Sequence, residues 1–234
     1  DANLAELTVQ SDMSVSPDLG PPQCPVAGVE VIQFQTEDGV TLEADLHTTG
    51  VEGSPAVILL HMIPPSNDRT NYPAAFRELL NEQGFTVLNV DRRGAGGSSG
   101  VAKEAYEGPN GKLDAAAAVS ALAALPCPPD LDRLGFVGAS NGTTTALDYA
   151  MYAAASPMES SVPRALVFLT AGTYTENQTE FSAMLATPEY EAMPILFVYP
   201  ENEAAWSEMY VEEPHFTHIS YEASGHGTHL FNSA

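Results

Sequence analysis

Residues 134–147 read LGFVGASNGTTTAL, an apolar run that passes through Gly-Ala-Ser-Asn-Gly into a stretch of helix formers. A core strand needs no serine between two glycines, and a helix could use the serine as a cap without them. A strand that turns sharply into a helix needs both. Such a turn brings strand and helix so close that the positions two before and two after its apex must lack side chains. Gly138 and Gly142 fill those positions around Ser140. The apex residue is pushed out of the strand end, so its hydroxyl is expected to face solvent and substrate. The free N–H groups of the following helix point at the same place.

The flanking sequence gives this turn its setting. Two strand-like runs, 29–36 and 40–48, are split by Glu37-Asp38-Gly39, a hairpin signal. Continuous apolar runs at 56–61 and 85–91 have the composition of strands buried on both faces. Helical spacing over 72–84 ends on Gly84, and 112–125 is an alanine-rich helix. After the 134–140 strand and a helix over 143–155 come strands at 165–172, 194–200 and 216–222. Short helices are expected at 179–186 and 204–210, and a last helix over 227–234. A hairpin followed by strand–helix alternation predicts an α/β fold with about eight strands, mostly parallel, and helices on both faces. Residues 1–27 read as a polar arm and 28–234 as one domain, and no insertion is long enough for a large cap.

At this point the chain resembles the α/β-hydrolase family over nearly all of Val29–Ala234. LLHMIPPSND (59–68) resembles the family's His-Gly-x-Pro oxyanion loop, with Met62 where glycine is usual. VLNVDRRGAGGSSG (87–100) resembles its Asp-x-Arg-Gly-x-Gly-x-Ser segment, and SGHGTHLF (224–231) its catalytic-histidine loop. The size and the loop variant are most similar to compact bacterial serine esterases and dienelactone-hydrolase-like proteins. Dienelactone hydrolases use a cysteine nucleophile, so that activity is not implied for Ser140.

A serine nucleophile needs a base. Of six histidines, His226 stands in a glycine-flanked loop after the last strand. The family order of serine, acid, histidine also puts the base last. His229, the nearest rival, falls in the final helix pattern. His61 matches the oxyanion-loop histidine, a structural role, while His47, His215 and His218 read as surface or core residues. The acid should follow the penultimate strand, where the chain has Glu201 and Glu203 and no aspartate. Related spacing favours Glu203 over Glu201. By the same resemblance the oxyanion donors are the backbone N–H groups of Asn141 and Ile63, with Met62 second to Ile63. Asp91, Arg92 and Arg93 read as structural, and Trp206, Tyr174 and Met184 as pocket wall or ordinary packing. The glycines at 94–100 lack a nucleotide-binding frame, and no His, Cys, Asp or Glu cluster has metal-ligand spacing. No cofactor and no metal is expected.

Bulk properties narrow the partners. The formal net charge is -23, from 31 acidic and eight basic residues among 234. Phosphate recognition needs basic contacts, so nucleic acid is excluded and an anionic surface or polyanion disfavoured. The acidity fits solubility or adaptation to salt. No apolar run reaches the roughly 18 residues of a membrane helix. The opening DANLAELTVQ has no signal-peptide pattern, so a signal segment is expected to be absent or already removed. Cys24 and Cys127 both lie in proline-rich loops and read as a disulfide, which would place the chain outside the cytoplasm: periplasm, cell surface or medium. The expected activity is hydrolysis of a small or short-acyl ester. A peptidase, thioesterase, lactonase or acyltransferase is the alternative on the same residues, and a non-catalytic binding module the alternative of a different class.

Overall fold

In a computed structural model, residues 24, 26–156, 160–175, 179–222 and 225–232 are described. Of the expected arm at 1–27, only Cys24, Val26 and Ala27 fall within that range.

The continuous apolar runs form the centre of one eight-stranded sheet, where a neighbouring strand on each side can take up their backbone polar groups. The strands are β1 (Gly28–Gln35), β2 (Thr41–Thr48), β3 (Pro55–Leu60), β4 (Thr86–Val90), β5 (Asp130–Ala139), β6 (Ala165–Leu169), β7 (Ile195–Pro200) and β8 (Phe216–Tyr221). Their order is β1-β2-β4-β3-β5-β6-β7-β8. The β1–β2 and β2–β4 pairs are antiparallel, and all the others are parallel. Gly39, at φ 82°, makes the expected hairpin turn between β1 and β2.

Strand alternation splits the core in two. Ile58, Leu60, Leu88, Phe136 and Phe168 belong to one cluster. It also holds apolar residues of α2 (Gly111–Ala123), α3 (Asn141–Ala155) and α4 (Phe181–Leu185). Val57, Leu59, Val87, Val137 and Leu169 belong to the other, with Phe76 and Leu80 of α1 (Ala74–Glu82) and with Leu230 and Phe231. Burying side chains of this size contributes about 1.5–3 kcal/mol each.

Three expectations need correction. β5 begins at Asp130 rather than 134. Its polar first residues hide the strand, and Pro55 pairs with Asp130 before a register shift. The helix expected at 204–210 is a 3-10 turn, Ser207–Tyr210. The helix expected over 227–234 is also a 3-10 turn, Gly227–Asn232, with residues 233–234 outside the described range. Gly227, at φ 58°, cannot open a right-handed α-helix.

Between β6 and β7 the described residues hold only α4 and a 3-10 turn, Pro188–Tyr190. Cys24 and Cys127 are joined by a disulfide across 103 positions of sequence. No described helix is long and apolar enough to cross a membrane.

Candidate active site

Ser140 links β5 to α3 with φ 50° and ψ -122°, a conformation few residues other than glycine adopt. Two glycines make the turn possible. A Cβ on Gly138 would stand 2.6 Å from the Gly142 carbonyl oxygen, and one on Gly142 would stand 2.2 Å from that of Leu60. The turn is tied down by its backbone. The Ser140 N–H donates to the Leu169 carbonyl at 2.8 Å, and the Thr143 N–H and hydroxyl donate to the Ser140 carbonyl at 2.9 and 2.7 Å.

The Ser140 side chain is less open than the sequence suggests, since the residue is only 6% exposed. The histidine loop closes over it. A Cβ on Gly227 would lie 3.4 Å from that of Ser140 and 2.6 Å from the Met62 sulfur. Met62, where the resembled motif has glycine, thus packs against this loop and is itself buried.

The two other candidates come from the ends of β7 and β8. Glu203 ends the 3-10 turn Glu201–Glu203 after β7, and His226 follows β8. His226 Nδ1 is 2.5 Å from Glu203 Oε2, and its Nε2 is 2.6 Å from Ser140 Oγ. The tautomer with hydrogen on Nδ1 serves both bonds: it donates to the carboxylate and accepts from the hydroxyl. About a third of each of the His226 and Glu203 side chains stays exposed. Glu201 opens the same turn and points into solvent.

The remaining histidines lie elsewhere. His229 is exposed, and its backbone N–H donates to the His226 carbonyl at 3.0 Å. His215 is exposed before β8, His218 stacks on Phe197 at 4.7 Å, and His47 is buried in β2.

His61 organises the loop after β3. It is fully buried, with Nδ1 2.7 Å from the Met62 carbonyl, while Nε2 accepts from the Arg92 N–H at 2.9 Å. Burial first, and the nearby Arg92 charge second, pull its pKa down to about 3, so the ring is neutral. A neutral ring with hydrogen on Nδ1 satisfies both bonds. The Arg92 guanidinium, equally buried, reaches the His61 and Met62 carbonyls at 3.3 and 3.4 Å and the Thr145 hydroxyl at 2.7 Å. Ile63, next in this loop, is half exposed at 39%, and its carbonyl takes the Asn67 amide at 2.9 Å. Asn141 is the first residue of α3 and is buried.

The other charged groups beneath the loops are framework. Arg93 binds Asp114 twice, through N at 2.9 Å and Nε at 2.8 Å. Arg69 gathers Glu43, Asp45 and Asp91. Asp91 also accepts from the Gly97 N–H at 2.8 Å. Among the described residues no three His, Cys, Asp or Glu side chains form a group that could hold a metal ion.

Of the three residues considered for a pocket wall, only Tyr174 stands at this site. Its ring meets that of His226 edge-on at 5.9 Å. Met184 is buried in the core, and Trp206 packs on Phe181, Phe197 and Tyr210. Thr170 went unnoticed in the sequence. It directly follows β6, at φ 56°, and its hydroxyl accepts from the Gly227 N–H at 3.0 Å. Nothing in LTAG marks it, since the contact is with a residue 57 positions away.

No protein-family model and no curated protein matches the sequence. Solved structures do. An esterase from Pyrococcus furiosus superposes with a TM-score of 0.59 at 17% identity, covering 88% of this chain and 86% of its own. A dienelactone hydrolase from Anabaena variabilis gives 0.57 at 17% identity, over 86% and 88%. EstE1, a thermophilic carboxylesterase from a metagenomic library, gives 0.59 at 17%, over 92% and 85%. The chain has the α/β-hydrolase fold.

Proposed function

We propose that this α/β-hydrolase-fold chain is a serine carboxylic-ester hydrolase. What carries this reading is the unbroken bonding from Glu203 through His226 to Ser140, at 2.5 and 2.6 Å, on a glycine-flanked turn. Ser140 Oγ attacks the ester carbonyl while His226 Nε2 takes its proton. Glu203 holds the ring and stabilises the imidazolium. The oxyanion is received by the backbone N–H groups of Asn141 and Ile63. Loss of one such donor costs about 10²–10³ in rate. His226 then returns the proton to the departing alcohol. Water repeats the sequence on the acyl-enzyme, so no cofactor enters.

The short connection between β6 and β7 supports small or short-acyl esters as substrates, because no large lid shields a long chain from water. The Cys24–Cys127 disulfide supports a place outside the cytoplasm.

The test is hydrolysis of p-nitrophenyl esters of rising acyl length, beside a peptide, a thioester and a lactone. Short esters should be turned over best. Ser140→Ala should abolish turnover, and a fluorophosphonate should label Ser140 in the wild type. Absence of label, or residual turnover in the variant above about a thousandth of wild type, would refute covalent catalysis by this serine.

A further inference from the structure

Thr170 is a β-branched residue in the left-handed region, at φ 56°, and it is 1% exposed. Glycine would hold that backbone without strain, and a strand end has no need of a hydroxyl there. Each polar group of Thr170 is committed. Its N–H donates to the Val198 carbonyl at 2.7 Å, which extends the β6–β7 pairing by one residue. Its hydroxyl accepts from the N–H of Gly227, the residue directly after His226, at 3.0 Å. Its carbonyl accepts from the Tyr174 phenol at 2.5 Å. Gly172 lets that ring fold back, since a Cβ there would lie 2.9 Å from Tyr174 Cζ. The folded ring then stands edge-on to His226. Two atoms of one strained residue therefore brace the histidine, one through the backbone after it and one through the ring beside it. On the far side the same loop is pressed against Met62.

We propose that Thr170 is a positioning residue, whose hydroxyl and carbonyl together hold the His226 ring between Ser140 and Glu203. The inference rests on the hydrolase reading above, in which His226 must stay aligned with both partners. Strain kept at such a site is repaid in alignment, and a misplacement of about 1 Å can cost on the order of 10²-fold in rate.

Thr170→Ser keeps the hydroxyl, Thr170→Ala removes it, and Thr170→Gly removes it while suiting the φ. Glycine folds there without strain, so a hydroxyl-free variant exists even if alanine fails. With p-nitrophenyl acetate, Thr170→Gly should lose about 30-fold or more in kcat with KM nearly unchanged, and Thr170→Ser should recover most of it. The His226 ring, followed by nitrogen-15 NMR, should show one sharp Nδ1–H tautomer in wild type and Thr170→Ser. In Thr170→Gly it should broaden or split. Wild-type kcat together with wild-type ring signals in Thr170→Gly would overturn the proposal. If wild type neither hydrolyses esters nor takes the fluorophosphonate, it is the hydrolase reading that fails. The ring signals alone then judge Thr170.

Discussion

Glu203 and Glu201 lie two residues apart on one 3-10 turn, and geometry separates them sharply. Glu203 ends the turn with its carboxylate on His226 Nδ1, while Glu201 opens it in solvent. A glutamine at 203 keeps the shape but no longer offers an anion to the imidazolium. Glu203→Gln should therefore lower kcat at least about a thousandfold, and Glu201→Gln should leave it close to wild type. Equal, small losses from steady-state assays of the two variants would place the acid elsewhere. The sequence narrowed the acid to these two residues, because a carboxylate was needed after β7 and only they follow it closely. It could not choose between them by contact, since the choice depends on where a loop 23 residues further on comes to rest.

At the scale of elements, the loop after β3 is held by neutral and charged groups in fixed roles. His61 must donate to the Met62 carbonyl and accept from Arg92 N–H, which only the neutral ring can do. Its pKa of about 3 lies below the ordinary 6.5. The unfolded chain thus binds a proton that the folded one refuses. The stability this contributes is fully present above pH 6.5 and is lost as pH falls towards 3. At pH 5 the ring should still be the neutral Nδ1–H tautomer by nitrogen-15 NMR, and an imidazolium signal there would show that the loop is not held this way. The structural role of His61 was readable from the motif. The part played by Arg92, which reaches two carbonyls of this loop from the end of β4, was not, because the two segments are apart in sequence and adjacent only in the parallel sheet.

Across the whole molecule, charge is unevenly answered. No Lys or Arg follows Arg164, so the segment that supplies β6, β7, β8, Glu203 and His226 carries acidic residues without basic ones. Arg92 and Arg93 are fully buried, and Arg69 and Arg77 spend their charge on Glu43, Asp45 and Asp91. Few basic groups are left among the surface carboxylates of a chain whose net charge is -23. Self-repulsion should therefore oppose the folded state most at low ionic strength. The melting temperature should rise from about 10 mM to about 1 M NaCl, as the Debye length falls from roughly 30 Å to 3 Å. A weakly salting-out salt at matched ionic strength separates screening from strengthened apolar burial. A flat or falling curve would mean that the carboxylates are already well spaced, and salt adaptation should then be dropped. The disulfide acts against the same repulsion. Closing a loop of about 100 residues removes about 4–5 kcal/mol of unfolded-chain entropy in a simple chain model.

What the sequence determined by itself was whatever a few neighbouring residues decide. Strand and helix periods, the hairpin at Glu37-Asp38-Gly39 and the two glycines around Ser140 follow from local sterics and from the need to bury apolar faces. They were enough for the order of elements, the α/β class and Ser140, while Glu203 and His226 came from the resemblance to the α/β-hydrolase family. Tertiary structure decided how those side chains meet. Ser140 and His226 are 86 residues apart, and their 2.6 Å contact exists only because β5, β6, β7 and β8 lie side by side. The near-burial of Ser140, the left-handed Thr170, the ring of Tyr174 against His226 and the 3-10 turn in place of a final helix all come from that packing. Each is a compromise imposed by distant chain segments, and local preference alone would have chosen otherwise or not at all.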